Sequence, residues 1–169
     1  MKNKYIDSLL QFMDNSPCNF LAVDTMKRIL VDNGFKEKSL KEKMTAKAGE
    51  KFFFTKNDSA IFAVKVGKKP IAETGYKIVA AHSDSPCFRI KPKAEMRCDG
   101  GIVKLNTEVY GGPILYTWFD RPLSIAGRVI LKGESALDVI SRNIKINRPL
   151  MQISHLAIHF NRAVNEGNP

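Results

Sequence analysis

His82 and Asp84 stand two residues apart in "KIVAAHSDSPCFRIKP" (residues 77–92), and their types and spacing could do chemistry. Neutral imidazole is a common metal ligand, and a nearby carboxylate can take the hydrogen on its other ring nitrogen. Such a partner fixes the tautomer and orients the ring; losing it typically costs about 10–100-fold in metal affinity or activity. If the apolar run before them continues as a strand, positions 82 and 84 share a face. The plainer alternative is a structural histidine satisfied by a backbone carbonyl, with Asp84 capping the turn before Pro86. The spacing leaves both open. His155 and His159 stand at i and i+4 in "HLAIHFNRAVNEG" (155–167), where a helix would bring them to one face. They could be a zinc pair or exposed helix histidines.

Other residues read more plainly. Arg89, Lys91 and Lys93 could attract an acidic side chain, but alternating charges fit the wet face of a strand. Trp118 and Phe119 read as core or interface, and Asp120 with Arg121 as an internal ion pair. Cys87 reads as a small buried residue rather than a nucleophile.

Positioning the first pair requires a fold. Residues 3–14 pattern as an amphipathic helix with Tyr5, Leu9, Phe12 and Met13 on one side. "SPCNFLAVDTMKRILVDNGF" (16–35) predicts a second helix, with Ser16 as N-cap, Pro17 at its first position and Gly34 as its stop. Phe20, Val23, Ile29 and Leu30 form its apolar face. "KFFFTKNDSAIFAVKVG" (51–67) predicts a hairpin around Asn57-Asp58. "YKIVAAH" (76–82) is apolar on nearly every residue and predicts a central strand covered on both faces. Ligands gather at the carboxyl ends of strands in open α/β sheets, where His82 would sit. Beyond Pro92 the texture turns to short β-rich runs broken by Gly and Pro. Ile153, Leu156, Ala157, Phe160 and Val164 then recur at helical spacing.

The totals narrow the class. The chain has 169 residues, 44% hydrophobic and 26% charged, a globular composition. No apolar stretch is long enough to span a bilayer, and the amino terminus lacks a secretory pattern. Three cysteines, odd in number and without a C-x-x-C pair, fit a reducing cytoplasm. A net charge of +10 favours acidic partners. The lysines are scattered, however, and the densest block (36–51) is interleaved with Glu as on a solvated face, so neither nucleic acid nor membrane is the expected partner.

"AAHSDSPCFRIKP" closely resembles the first metal-site motif of the aspartyl aminopeptidases, which are cytosolic, cocatalytic di-zinc exopeptidases. "VYGGPILYTWFDRPLSIAGRVI" (109–130) resembles a second motif of that family, and "HLAIHFNRAVNEG" a third, in the family's order. The resemblance runs nearly end to end. It implies an α/β fold: the amino-terminal part of a zinc-peptidase α/β sandwich (1–92), then part of an inserted, mostly β dimerisation domain (93–169). It implies that His82 is a zinc ligand, that Asp84 is the catalytic-site carboxylate supporting it, and that His159 helps hold substrate in a neighbouring subunit's site. His155 is left structural. Two departures are Ser83, where threonine is usual, and Ser154, where proline often stands.

The family's activity would be zinc-dependent removal of amino-terminal Asp or Glu from peptides, with two zinc ions per active site and a homo-oligomeric enzyme. The bridging carboxylate, the general base and the other ligands lie further along in the family, so the chain reads as an amino-terminal fragment, inactive alone. A non-catalytic assembly module derived from such an enzyme is the alternative, and a basic nucleic-acid binder the remaining one.

Overall fold

The computed structural model describes residues 3–135 and 137–167. The final Asn168 and Pro169, where the sequence reads as a turn, lie outside the described residues. The chain is mixed α/β and divides into two compact units: Met1–Ser85 with Ala126–Lys145, and Pro86–Ile125 with Ile146–Pro169. The expected boundary at 92/93 falls inside a strand, and one hairpin from the expected β module groups with the first unit.

In the first unit, helix α1 spans Lys4–Asn15 and α2 spans Asn19–Asp32. The Asn3 side chain caps α1 by accepting from the Tyr5 N–H at 3.1 Å. Tyr5, Leu9 and Met13 of its predicted apolar face are exposed. Ser16 is not the N-cap of α2. It closes α1, its N–H donating to the Met13 carbonyl, and Cys18 caps α2 with extended backbone and no side-chain bond. Gly34 stops α2 as expected, with a φ of 79° that favours glycine.

Strands β1 (Lys36–Glu37), β2 (Lys51–Lys56) and β3 (Ala60–Lys65) form a three-stranded sheet with β2 in the middle. β1 runs parallel to β2, and β3 antiparallel. Asn57 and Asp58, with φ of 52° and 50°, make the tight turn between β2 and β3. Phe52 and Phe53 are consecutive, so they point to opposite faces, and both are buried. The strand covered on both faces is therefore β2. Among the described residues, Ala22, Val23 and Thr25 of α2 are the other buried ones. Beside this sheet, Lys38 pairs with Glu50 at 2.6 Å. That hydrogen bond, with one from the Lys47 N–H, holds the Glu50 carboxyl below its usual range.

Residues 76–82 depart from expectation. They form no strand, and Val79 is fully exposed. An all-apolar pattern encodes a demand for neighbours on both faces, and the described residues supply none. The short helix α3, Ile71–Thr74, precedes this segment.

Strands β6 (Ala126–Lys132) and β7 (Val139–Lys145) pair antiparallel and return to this unit from far along the chain. Arg128 ties them down. Its guanidinium lies 3.9 Å from the centre of the Phe20 ring, donates to the Asn57 carbonyl at 3.0 Å and pairs with Asp58 at 3.7 Å. Asn143 on β7 donates to Asp24 on α2 at 2.6 Å. Cation–π stacking and charge-assisted hydrogen bonds of this kind contribute about 1–3 kcal/mol each way of counting. Arg128→Ala is expected to lower stability by about 2 kcal/mol, and Arg128→Lys by more than half of that, since ammonium cannot both stack and fork. Urea unfolding with an unchanged m-value measures it; a shift below about 0.5 kcal/mol would remove Arg128 from this role.

The second unit holds β4 (Cys87–Arg97) and β5 (Val103–Tyr110), an antiparallel pair. Their register slips between Ile90 and Glu95, the segment that contains Pro92, which has no N–H for the ladder. Arg89 is exposed, and its guanidinium stacks 3.4 Å from the centre of the Tyr110 ring. Trp118 packs edge-on against Phe88. The cysteines are free and partly exposed, Cys87 included, so it is not fully buried as expected.

Candidate functional site

His82 sits in irregular chain after residues 76–81, exposed, with 82% of its side chain accessible. A turn, rather than strand alternation, brings it to Asp84. Ser83 fixes that turn to the β2–β3 hairpin, because its hydroxyl donates to the Ser59 carbonyl at 3.1 Å. Ser83 is half-buried, and a threonine hydroxyl could make the same bond.

His82 Nδ1 lies 2.9 Å from the Asp84 carbonyl oxygen and 3.1 Å from its carboxylate Oδ1. Both oxygens are acceptors, so Nδ1 carries the hydrogen and donates to both. The tautomer follows: Nε2 is left with its lone pair, the form in which imidazole binds a metal. The carboxylate expected to orient the ring does so, and the backbone carbonyl of the plainer reading takes part as well.

The donor set tests whether a metal fits. His82 Nε2 is a suitable nitrogen ligand with an oriented second partner. Among the described residues, no three His, Cys, Asp or Glu side chains cluster to hold an ion. The described residues thus offer one imidazole nitrogen with an oriented ring, where zinc sites use three or four protein ligands.

The other two histidines lie in the second unit. The expected helix over 153–164 is absent. Residues 151 and 153 form bridges to 123 and 119, and two 3₁₀ turns follow, Ile158–Phe160 and Arg162–Asn165. A helical His155/His159 face therefore does not form. His155 packs its ring edge-on against Phe119 at 5.2 Å, and its Nδ1 lies 3.0 Å from the Leu156 carbonyl, a structural setting. His159 is exposed on the first 3₁₀ turn.

Asp120 and Arg121 are not an ion pair. Arg121 donates to the Thr117 carbonyl at 3.1 Å, while Asp120 Oδ1 accepts from the His155 N–H at 2.9 Å. Sequence reasoning missed this bond and the Ser83 anchor. The available signal for Asp120 was its residue type, since aspartate tolerates positive φ and caps backbone N–H groups.

The comparisons with known proteins agree with one another. Residues 12–169 match the model of a family described as aminopeptidase I zinc metalloprotease (M18). A probable M18 family aminopeptidase 2 of Clostridium novyi (strain NT) is 53% identical over 99% of this chain, which covers 39% of that relative. A cryo-EM structure of an Ape4 and Nbr1 complex aligns with a TM-score of 0.86 at 38% identity, over 94% of this chain and 30% of that one. An S. cerevisiae mApe1 dodecamer aligns with a TM-score of 0.82 at 24% identity, over 92% of this chain and 36% of that one, a likeness of fold alone. The chain spans about two fifths of the length of the curated relatives it matches, 39% in the Clostridium novyi case.

Proposed function

Because the chain belongs to the aminopeptidase I zinc metalloprotease (M18) family, we propose that it provides the amino-terminal part of a zinc-dependent aminopeptidase that removes Asp or Glu from peptide amino termini. In this reading His82 binds zinc through Nε2, and Asp84 holds the ring. His159 contacts substrate bound by a neighbouring subunit. Residues 1–92 serve the catalytic domain and 93–169 an inserted dimerisation domain, from which the hairpin of Ala126–Lys145 groups with the first unit. The intact enzyme holds two zinc ions per site, works in the cytoplasm and is a homo-oligomer, as the family resemblance implies.

One observation carries the reading: the His82 tautomer is set by two acceptors of Asp84, leaving the ligand nitrogen uncommitted. The chemistry zinc supplies when bound is a water of depressed pKa, near about 7, and a polarised carbonyl. This chain's own share is to orient one ligand. The acidic preference is supported by the family resemblance and by the net charge of +10.

The 169-residue chain alone is expected to release no amino-terminal residue from Asp-, Glu-, Ala- or Leu-initiated peptides, with or without zinc. A chimera in which it replaces the matching segment of the Clostridium novyi relative is expected to be zinc-dependent, and to turn over Asp and Glu at least about 10-fold faster than Ala or Leu. Hydrolysis by the chain alone would overturn the partial-site reading, and a preference for Ala or Leu would overturn the acidic specificity. A chimera that assembles but stays inactive would leave the assembly role in its place.

A further inference from the structure

We propose that Asp120 is a positioning residue for His159, an inference that rests on reading His159 as a substrate contact. Asp120 grips the segment before His159 from two sides. Its N–H donates to the Ile153 carbonyl at 2.9 Å, and its Oδ1 accepts from the His155 N–H at 2.9 Å. Residues 153 and 155 are held by one residue, and the chain between them cannot slide without breaking one bond or the other.

The grip depends on an unusual backbone. Asp120 has a φ of 51°, in the left-handed region that aspartate and asparagine tolerate better than most residues. That conformation lets the amide and the carboxylate of one residue address two groups of the same facing strand segment. Neighbouring contacts extend the hold. Phe119 bridges to Ile153 and meets the His155 ring at 5.2 Å, and the Leu123 N–H donates to the Met151 carbonyl at 2.9 Å.

His159 follows the last anchored residue by four positions, a reach of at most about 14 Å for extended chain. The intervening chain is itself constrained, because the Phe160 N–H donates to the Ala157 carbonyl at 2.9 Å and closes the 3₁₀ turn that carries His159. A side chain offered to another subunit must be held by its own unit, since ordering it at the moment of binding would subtract from affinity. Asp120 supplies that hold without touching substrate.

Three substitutions separate the parts of the device. Asp120→Asn keeps an acceptor and tolerates positive φ; Asp120→Gly keeps only the backbone; Asp120→Ala keeps neither. In the full 169-residue chain, amide hydrogen exchange at His155 is expected to quicken at least about 10-fold in the Gly and Ala variants and to stay within about 3-fold in Asn. In the Clostridium novyi chimera, Asp120→Gly is expected to raise KM about 10-fold with kcat within about 3-fold, and Asp120→Asn to restore it. Asp120→Gly placed on His159→Ala should add little, because the two changes remove one contact.

Unchanged exchange in Asp120→Gly overturns the proposal alone, as does a full additive loss in the double variant. An unaltered KM in His159→Ala, with exchange at His155 quickened in Asp120→Gly, overturns the reading of His159 and the proposal with it.

Discussion

His82→Ala is expected to abolish zinc-dependent hydrolysis by the chimera, lowering kcat/KM by more than the ~100-fold that marks the upper end for losing a ligand's supporting partner. The argument runs through Nε2, the nitrogen left free when Nδ1 donates to Asp84. In the proposed reading, removing it takes away a ligand, which no reorientation of neighbours replaces. Asp84→Ala should do less, about 10-fold, because the Asp84 backbone carbonyl at 2.9 Å still holds the Nδ1 hydrogen after the carboxylate is gone. The ordering of the two variants is therefore a sharper test than either loss alone. His82 is exposed and packs no core, so its replacement should leave the unfolding free energy within about 0.5 kcal/mol of the parent. Metal content by mass spectrometry and kcat/KM by peptide release measure the two effects. A His82→Ala chimera that retains full zinc and activity would remove His82 from the site.

Phe53→Ala is expected to cost about 3–5 kcal/mol, which for a domain of ordinary stability (about 5–15 kcal/mol) is roughly a fifth or more of the total. Phe53 has no accessible surface, and among the described residues Val23 of α2 is the other large side chain buried as completely. β2 is the middle strand of its sheet, so the cavity left at position 53 opens inside the only strand of that sheet paired on both edges. Phe52 faces the other way and is also buried, with the Lys38 ammonium 4.3 Å from its ring centre. Its loss should be cheaper than that of Phe53, because one side of its ring meets a charged group that can follow it or turn to water. Denaturant unfolding followed by circular dichroism reports both. A cost below about 1 kcal/mol for Phe53→Ala would mean that the core lies elsewhere.

Features set by neighbouring residues could be read directly from the sequence. Residues 3–14 pattern as one amphipathic turn after another, Gly34 stops a helix, and Asn57-Asp58 turns a hairpin, all by local backbone preference. The proximity of His82 and Asp84 was legible for the same reason, although a turn and not a strand produces it. Features set by distant partners were not. Residues 76–82 have the composition of a buried strand, but composition asks for cover without supplying it. Residues 153–164 have helical spacing, yet Met151 and Ile153 pair with 123 and 119, and Asn161 at φ −144° interrupts the rest. Tertiary pairing overrides a weak local preference there. The Ser83 anchor and the Asp120 grip join residues 24 and 35 positions apart, separations over which no local pattern runs.

The return of β6 and β7 to the first unit has a consequence for synthesis. Ser85 leaves the ribosome well before Lys145, yet the unit that begins the chain includes residues up to Lys145. At about 5–20 residues per second, the growing polypeptide spends several seconds with Phe20 and the Asn57 carbonyl awaiting Arg128. During translation, the first unit therefore lacks these Arg128 contacts until the later hairpin emerges, and codon choice between Pro86 and Lys145 bears on how long that window stays open.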